Sequence, residues 1–553
     1  MSFIALIVER FDYAIDRPLT VNLSGRPGLQ DSGLIVAMKY TVFVLFLSLS
    51  CSLASARRSG LTSIESFARK RAKEANLQGK LKAAQIQSDP TFGKQSTLIA
   101  SGKEHHGISF TTLVINIVAD LCPHGMLPLA YGFASGGPNG LVPSVLLLAL
   151  FATMSGYSMT AFASLAQHTN SSTIAEIWSK LFNPQTKFLV DLAIFGLCYG
   201  CCVFYSAFAG DIFAALTLAL NLKNLLPHRW NTLLLISTTV LLPLCLTEDL
   251  SGLQVTSYLG VAGIAYTVLF YVYRLSTGSY LPGSELLKYV PTKLHPSHPT
   301  PRFPLFNTNT GLLTLANLLC VAFLAHYNSI TYYKELNQGL PQYRKAVIVG
   351  FGIAALTFLI MMLVGYQLFG KAALPLILNN FPFKEDKFAT LARLAIGLSI
   401  TFAYPLMFAG LKSAMFNLLD TFYFKGAASQ SVNGDNPLPS SNADKVSKNK
   451  KFVQTSAIIT ALASITSIAV KCGEEDVSVV LGIVGSVLGC VVAYCLPASL
   501  QLKHMRNRHK AGLSVNRAEA VSNHALGVLG AVFAVLGAWV TVQSASAHSG
   551  HHV

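Results

Sequence analysis

Charge is what this sequence has least of. Only 12% of its 553 residues are Asp, Glu, Lys or Arg, and mean hydropathy is +0.49. A soluble chain of this length needs far more charge to cover its surface, so a string of soluble domains is excluded. A disulfide framework is also missing. Nearly all of the ten cysteines lie in apolar runs, as in Cys198-Tyr199-Gly200-Cys201-Cys202, and read as small buried apolar residues. A metal or redox role for that run lacks a second ligand cluster. No metal-ligand spacing and no nucleophile–base motif lies on the apolar runs, which argues against a membrane enzyme. The net charge of +16 is no sign of nucleic acid, because membrane proteins gather Lys and Arg in loops on one side.

What is present is a series of apolar runs, each long enough to cross a hydrocarbon core of roughly 30 Å. We count eleven, at about 108–134, 140–166, 186–219, 231–248, 253–274, 311–333, 345–369, 388–419, 452–471, 476–501 and 524–544. Asn170-Ser171-Ser172-Thr173 followed by Ile174-Ala175-Glu176-Ile177-Trp178 predicts a capped, short amphipathic helix. The polar segment 426–451 reads as a flexible loop, and 275–310 as a Pro-rich connection on the opposite side. Residues 545–553 read as a disordered, His-rich tail rather than a metal site at His548, His551 and His552.

Loop charges orient the chain. If residues 57–107 are cytoplasmic, the loops carrying Lys334, Arg344 and Lys345, then 445–451, then Lys503 to Arg517, are cytoplasmic as well, which fits their basic character. Lys288, Lys293 and Arg302 fall on the other side, and the Asn170 sequon stays unglycosylated. Residues 1–56 contain Met38-Lys39-Tyr40, an apolar core and Ala54-Ser55-Ala56, in the order of a signal sequence. A retained anchor, a cleaved signal and a bipartite organelle presequence are all open. So are the plasma membrane, an endomembrane such as the vacuole, and a plastid membrane.

The first run is interrupted by Asp120-Leu121-Cys122-Pro123-His124-Gly125-Met126, and the sixth by His326-Tyr327-Asn328-Ser329. Paired interruptions five spans apart point to an inverted-repeat transporter with its site near the membrane midplane. The fold expected is all-α, with a first five-helix repeat over 108–274, a second over 311–501, and one further helix at 524–544.

These residues resemble the amino acid/auxin permease family of the amino acid–polyamine–organocation superfamily, in particular its neutral amino acid transporters. The resemblance covers about 105–545. It rests on Gly125-Met126-Leu127-x-Leu129-x-Tyr131-x-Phe133-Ala134, on the third run from Leu189-Val190-Asp191 to Gly210-Asp211, on Phe323-Leu324-Ala325-His326 with Tyr332-x-Lys334-Glu335-Leu336, and on Tyr404-Pro405-Leu406-Met407-Phe408. It implies a LeuT-like fold and amino acid transport. Sodium-coupled members are similar in carrying an Asn and a Thr where this chain has Ala119 and Ala403. Neither alanine offers a side-chain oxygen to a hard cation, which favours a proton over sodium as the coupling ion.

An amino acid zwitterion in a low-dielectric site needs donors for its carboxylate and acceptors for its ammonium, and interrupted helices supply both from the backbone. We expect Cys122, Pro123, His124, Gly125 and Met126 to form the first-span part of the site, with Pro123 breaking the ladder and Gly125 allowing close approach and positive φ. Phe323, Leu324, Ala325 and His326 form the sixth-span part. Asp120, His124 and His326 are ionisable groups at membrane depth and hence proton-coupling candidates; a capping role for Asp120 and a packing role for His326 are the alternatives. Asp191 and Asp211 read as bonding neighbouring helices, and Glu248-Asp249 as solvated. No cofactor is expected beyond a coupling proton. The expected partners are an amino acid and the lipid bilayer, with oligomeric state open. The leading reading is a proton-coupled symporter, or an exchanger, of neutral amino acids by alternating access; a sodium-coupled symporter, an amino acid-sensing transceptor and a channel are the alternatives.

Overall fold

The structure, a computed structural model, describes residues 107–135, 137, 139–221, 228–247, 254–296, 303–424, 440–472 and 482–549. The signal or presequence expectation for 1–56, the basic segment 57–106, Glu248-Asp249, most of the 426–451 segment and His551-His552 lie outside them.

Among the described residues every regular element is helical. Ten helical stretches are long and apolar enough to cross a membrane: Leu141–Thr169, Pro184–Ala219, Arg229–Leu246, Thr256–Ser276, Gly311–Leu336, Gly339–Ala372, Lys387–Tyr423, Asn449–Lys471, Val484–Lys510 and Arg517–Gln543. They match the second to eleventh predicted spans. The first is in two pieces, Phe110–Gly125 and Leu129–Ala134, which accounts for the eleventh. Large apolar side chains such as Ile348 and Leu269 stand 71% and 66% exposed on the outer faces, which suits hydrocarbon and not water.

Local chemistry sets the helix ends. Ser109 starts the first span by accepting from the Thr112 amide at 3.1 Å. The predicted amphipathic helix is Ile174–Leu181, capped by Thr173, whose hydroxyl accepts from Glu176 N at 3.1 Å, while the Glu176 carboxylate accepts from Ser172 N at 2.7 Å. The second span ends at Asn170 in the left-handed region, φ 47°. Its start is held by a strap from the 275–310 connection: Gly140, Leu141 and Val142 amides donate to the carbonyls of Asn307, Pro304 and Leu305. A Cβ on Gly140 would lie 2.4 Å from the Asn307 nitrogen, so only glycine lets the two backbones meet.

Two boundaries differ from the sequence reading. The ninth helix begins at Ser440, inside the segment read as loop, because after Pro439 nothing in Ala443-Asp444-Lys445-Val446 interrupts a helix that the following apolar run continues. The last helix runs to Ser549, so 545–549 extend it, their Ala and Ser residues carrying no breaker.

The sixth span is the centre of the bundle, with 89% of its apolar window buried; the fourth and eleventh, at 28% each, are peripheral. The third and eighth spans pack along one another, and the first packs on the seventh and on the sixth. The eleventh lies against the sixth, where Asn317 Nδ2 donates to Gly537 O at 3.1 Å.

Candidate functional site

Both interruptions are real, and their details differ from the expectation. The first helix passes through Pro123 and ends at Gly125; the break is Met126-Leu127-Pro128, and Pro128 caps the second piece. One proline in a last turn removes a single hydrogen bond, which surrounding packing offsets, so Pro123 does not break the ladder. Gly125 does not take positive φ. Its lack of a side chain serves close packing instead: a Cβ there would meet Phe358 Cζ at 2.6 Å and Ala322 Cβ at 2.9 Å. The sixth span breaks where expected. Its first piece ends at Ala322, Phe323 to Ala325 are non-helical, a short turn covers His326–Asn328, and Ser329–Leu336 resumes the helix.

The breaks lie side by side. Gly125 abuts Ala322, and His124 Nε2 is 3.3 Å from Val321 O, a carbonyl at the end of the half-helix that also accepts from the Leu324 amide at 3.1 Å. Cys122, Met126, Phe323, Leu324, Ala325 and His326 are all 1% exposed or less. Phe323 stacks on Phe351 of the seventh span, with ring centroids 6.0 Å apart, and meets Phe358 edge-on at 5.0 Å.

Asp120 ties the broken helices together. Its carboxylate is fully buried. Oδ1 accepts from Tyr327 Oη at 2.7 Å; Oδ2 accepts from Asn328 Nδ2 at 3.0 Å and from Tyr332 Oη at 2.9 Å. Asn328 Nδ2 is also 3.3 Å from Leu406 O, beside Pro405 of the eighth span. These partners are neutral, and among the described residues no basic group forms an ion pair with Asp120. The carboxylate is not a helix cap, because it sits in the third turn of its helix. Tyr205 of the third span adds its hydroxyl, 2.5 Å from His124 Nδ1 and 3.4 Å from Asp120 O.

The sequence-predicted ionisable groups therefore separate. Tyr205 bridges the His124 ring to the backbone carbonyl of Asp120, not to its carboxylate. His326 faces the second span, its Nε2 2.7 Å from Ser158 Oγ and 3.2 Å from Ser155 O, while Ser155 Oγ is 2.8 Å from Tyr494 Oη. Its Nδ1 is buried without a hydrogen-bond partner. Tyr205, Asn328, Tyr332 and Ser158 were not among the expected site residues. Asn328 and Tyr332 had a signal, since four residues apart they share one face of a helix.

Asp211 and Asp191 do bond neighbouring helices, as expected. Arg229 Nε donates to Asp211 at 2.5 Å and its other nitrogens to the carbonyls of Ala207 and Ala469. Asp191 Oδ1 accepts from Asn417 Nδ2 at 2.9 Å. Cys198, Cys201 and Cys202 are buried free thiols, and no group of three potential metal ligands occurs among the described residues.

A cleft of about 80 Å³ opens on the Gly107 side of the bundle, between the third, sixth and eighth spans. Ser172, Thr173, Asp191 and Asn417 line its outer part, and Tyr327 and Asn328, two of the donors to Asp120, its inner end. On the opposite side Arg274 and Asp386 are paired at 2.5 Å, with Tyr280 Oη donating to Asp386 Oδ2 at 2.8 Å.

Known proteins share this architecture. The chain is 20% identical over 422 residues to vacuolar amino acid transporter 6 of Saccharomyces cerevisiae, covering 72% of this chain and 91% of that one. It is 24% identical over 319 residues to sodium-coupled neutral amino acid transporter 7 of Mus musculus, covering 55% and 64%. The crystal structure of MhsT in complex with L-phenylalanine superposes with a TM-score of 0.51 over 80% of this chain and all of that one, at 12% identity, which shows a shared LeuT-like fold. The model of the transmembrane amino acid transporter protein family matches residues 106–543, and the chain belongs to that family.

Proposed function

We propose that this protein is a secondary active transporter of neutral amino acids that works by alternating access and is coupled to protons. The observation that carries the reading is Asp120: a buried carboxylate, held only by neutral donors, joining the two interrupted helices at the centre of the bundle. Burying an unpaired carboxylate is costly, and protonation relieves that cost, so a group of this kind favours a cycle that loads and unloads a proton.

The substrate lies at the paired breaks, at Cys122–Met126 and Phe323–His326, where interrupted helices bring backbone donors and acceptors to its carboxylate and ammonium. The side chains there are apolar apart from the two histidines, which favours an uncharged substrate side chain. Ala119 and Ala403 support a proton over sodium. Residues 57–107 and the basic loops are cytoplasmic, so the cleft on the Gly107 side opens to the cytoplasm.

The test is uptake of a panel of labelled amino acids by purified protein in liposomes, under imposed proton or sodium gradients. Saturable uptake of neutral amino acids that follows the proton gradient is expected. Uptake that tracks sodium and ignores pH overturns the coupling, binding without flux favours a transceptor, and non-saturating conductance favours a channel.

A further inference from the structure

The cleft on the Gly107 side has a second carboxylate. Asp191 of the third span is 2% exposed; Oδ1 is satisfied by Asn417, but Oδ2 is buried with no hydrogen-bond partner. Asp191 lines the same cleft whose inner end is formed by Tyr327 and Asn328. A buried carboxylate oxygen left without a donor is an acceptor in want of a proton. Building on the proton-coupled reading, we propose that Asp191 is the cytoplasmic relay station for the coupling proton, passing it between bulk solvent and Asp120 by way of the Tyr327 hydroxyl.

The cleft, about 80 Å³, has room for several waters along the wall that carries Asp191 and Tyr327. The chemistry of the link is complete. Tyr327 Oη donates to Asp120 Oδ1 at 2.7 Å, and Tyr327 lines the cleft; a hydroxyl donates one hydrogen bond and accepts two, so in the proposed step it turns to accept from a protonated Asp120 and donates outward. In the unloading direction the proton leaves Asp120, its place on the Tyr327 oxygen is exchanged for the phenolic proton, and water carries that proton to Asp191 Oδ2. Asp120 ends as carboxylate and Asp191 as carboxylic acid, which then releases the proton to the cytoplasm.

The charged groups on the packed elements are committed elsewhere. Lys412 of the eighth span donates to the carbonyls of Cys245 and Thr247, Lys450 of the ninth pairs with Asp420, and Lys180 of the amphipathic helix pairs with Glu176. Lys334 donates to Ser172 Oγ at 2.7 Å on the cleft wall. Lys187, one helical turn before Asp191 on the same helix, is the remaining cation on that stretch.

The test compares wild type, Asp191→Asn and Asp191→Glu in liposomes, with two readouts: proton entry from a trapped pH-sensitive dye during substrate addition, and labelled counterflow at equal pH. Asn keeps the acceptor facing Asn417 and removes only the titrating oxygen. We expect the ratio of proton flux to counterflow to fall at least about tenfold in D191N and to return in D191E. A wild-type ratio in D191N overturns the relay. So does a parallel loss of both readouts that glutamate does not restore, which marks a structural residue. Wild-type uptake without proton entry overturns the coupled reading itself, and is seen before any variant is made.

Discussion

Tyr205 Oη lies 2.5 Å from His124 Nδ1, and the opposite ring nitrogen lies 3.3 Å from the carbonyl of Val321. A tyrosine hydroxyl has one proton to give. Both contacts are satisfied when His124 is neutral with its proton on Nε2, so the third span dictates the tautomer that binds the first break to the sixth. Phenylalanine at position 205 frees the ring to flip. We expect Y205F to lower substrate affinity with thermal stability reduced by about 1 kcal/mol, the worth of one hydrogen bond. Uptake kinetics and melting in detergent check this.

Asp120→Asn preserves shape and removes the titrating group. Accumulation driven by a pH gradient should fall at least about tenfold. Melting temperature should move little, because an amide needs no counter-charge in this neutral shell. Intact pH-driven accumulation in this variant would make Asp120 a structural residue.

His326 belongs to a different cluster, so its variant should behave differently. H326Q loses the Ser158 contact and part of the packing against the Tyr494 ring, 6.2 Å away between centroids. Stability should drop by about 1–3 kcal/mol. The pH profile of the remaining uptake should keep its wild-type shape, read as rate against external pH.

Gly125→Ala places a methyl 2.6 Å from Phe358 Cζ and 2.9 Å from Ala322 Cβ. Overpacking of this kind costs about 1–3 kcal/mol. Since Ala322 is part of a helix end, the phenyl ring must yield. Phe358→Leu in the same chain should recover part of the loss, as a double-mutant cycle on melting temperature will show.

Glu176 gives a pH dependence outside the membrane. Its hydrogen bond to Lys180, then the Ser172 amide, hold its carboxyl below the ordinary glutamate range. A depressed carboxylate stabilises the fold above its unfolded pKa, and that stabilisation is lost as pH falls through the folded value. Amide exchange across Ile174–Leu181 should therefore accelerate in acid, and E176Q should flatten the response.

Much of this architecture is legible in the sequence, because hydropathy alone locates helices in a membrane chain. The spans, their order and the two interruptions follow from runs such as 345–369 and from the polar intrusion at His326-Tyr327-Asn328-Ser329. What is not legible is the place of the first break. Pro123 and Pro128 are both preceded by residues that proline pushes away from helix. Only the packing of Gly125 on Ala322 and Phe358 decides that the helix survives the first and stops before the second. Nor does spacing reveal that Asp120 meets Tyr327, Asn328 and Tyr332, since those contacts cross from one repeat to the other. His326 looked equivalent to His124 for the same reason: composition shows an imidazole at depth, and only the bundle shows which neighbour it faces.

The eleventh helix is tied to the interrupted sixth span. Asn317 Nδ2 donates to Gly537 O, and a Cβ on Gly537 would lie 2.0 Å from Asn317 Oδ1, so no side chain fits between the two helices. A helix that belongs to neither repeat is thus fastened to one member of the central pair. Any displacement of the sixth span therefore carries the eleventh helix with it, and the two behave as one body.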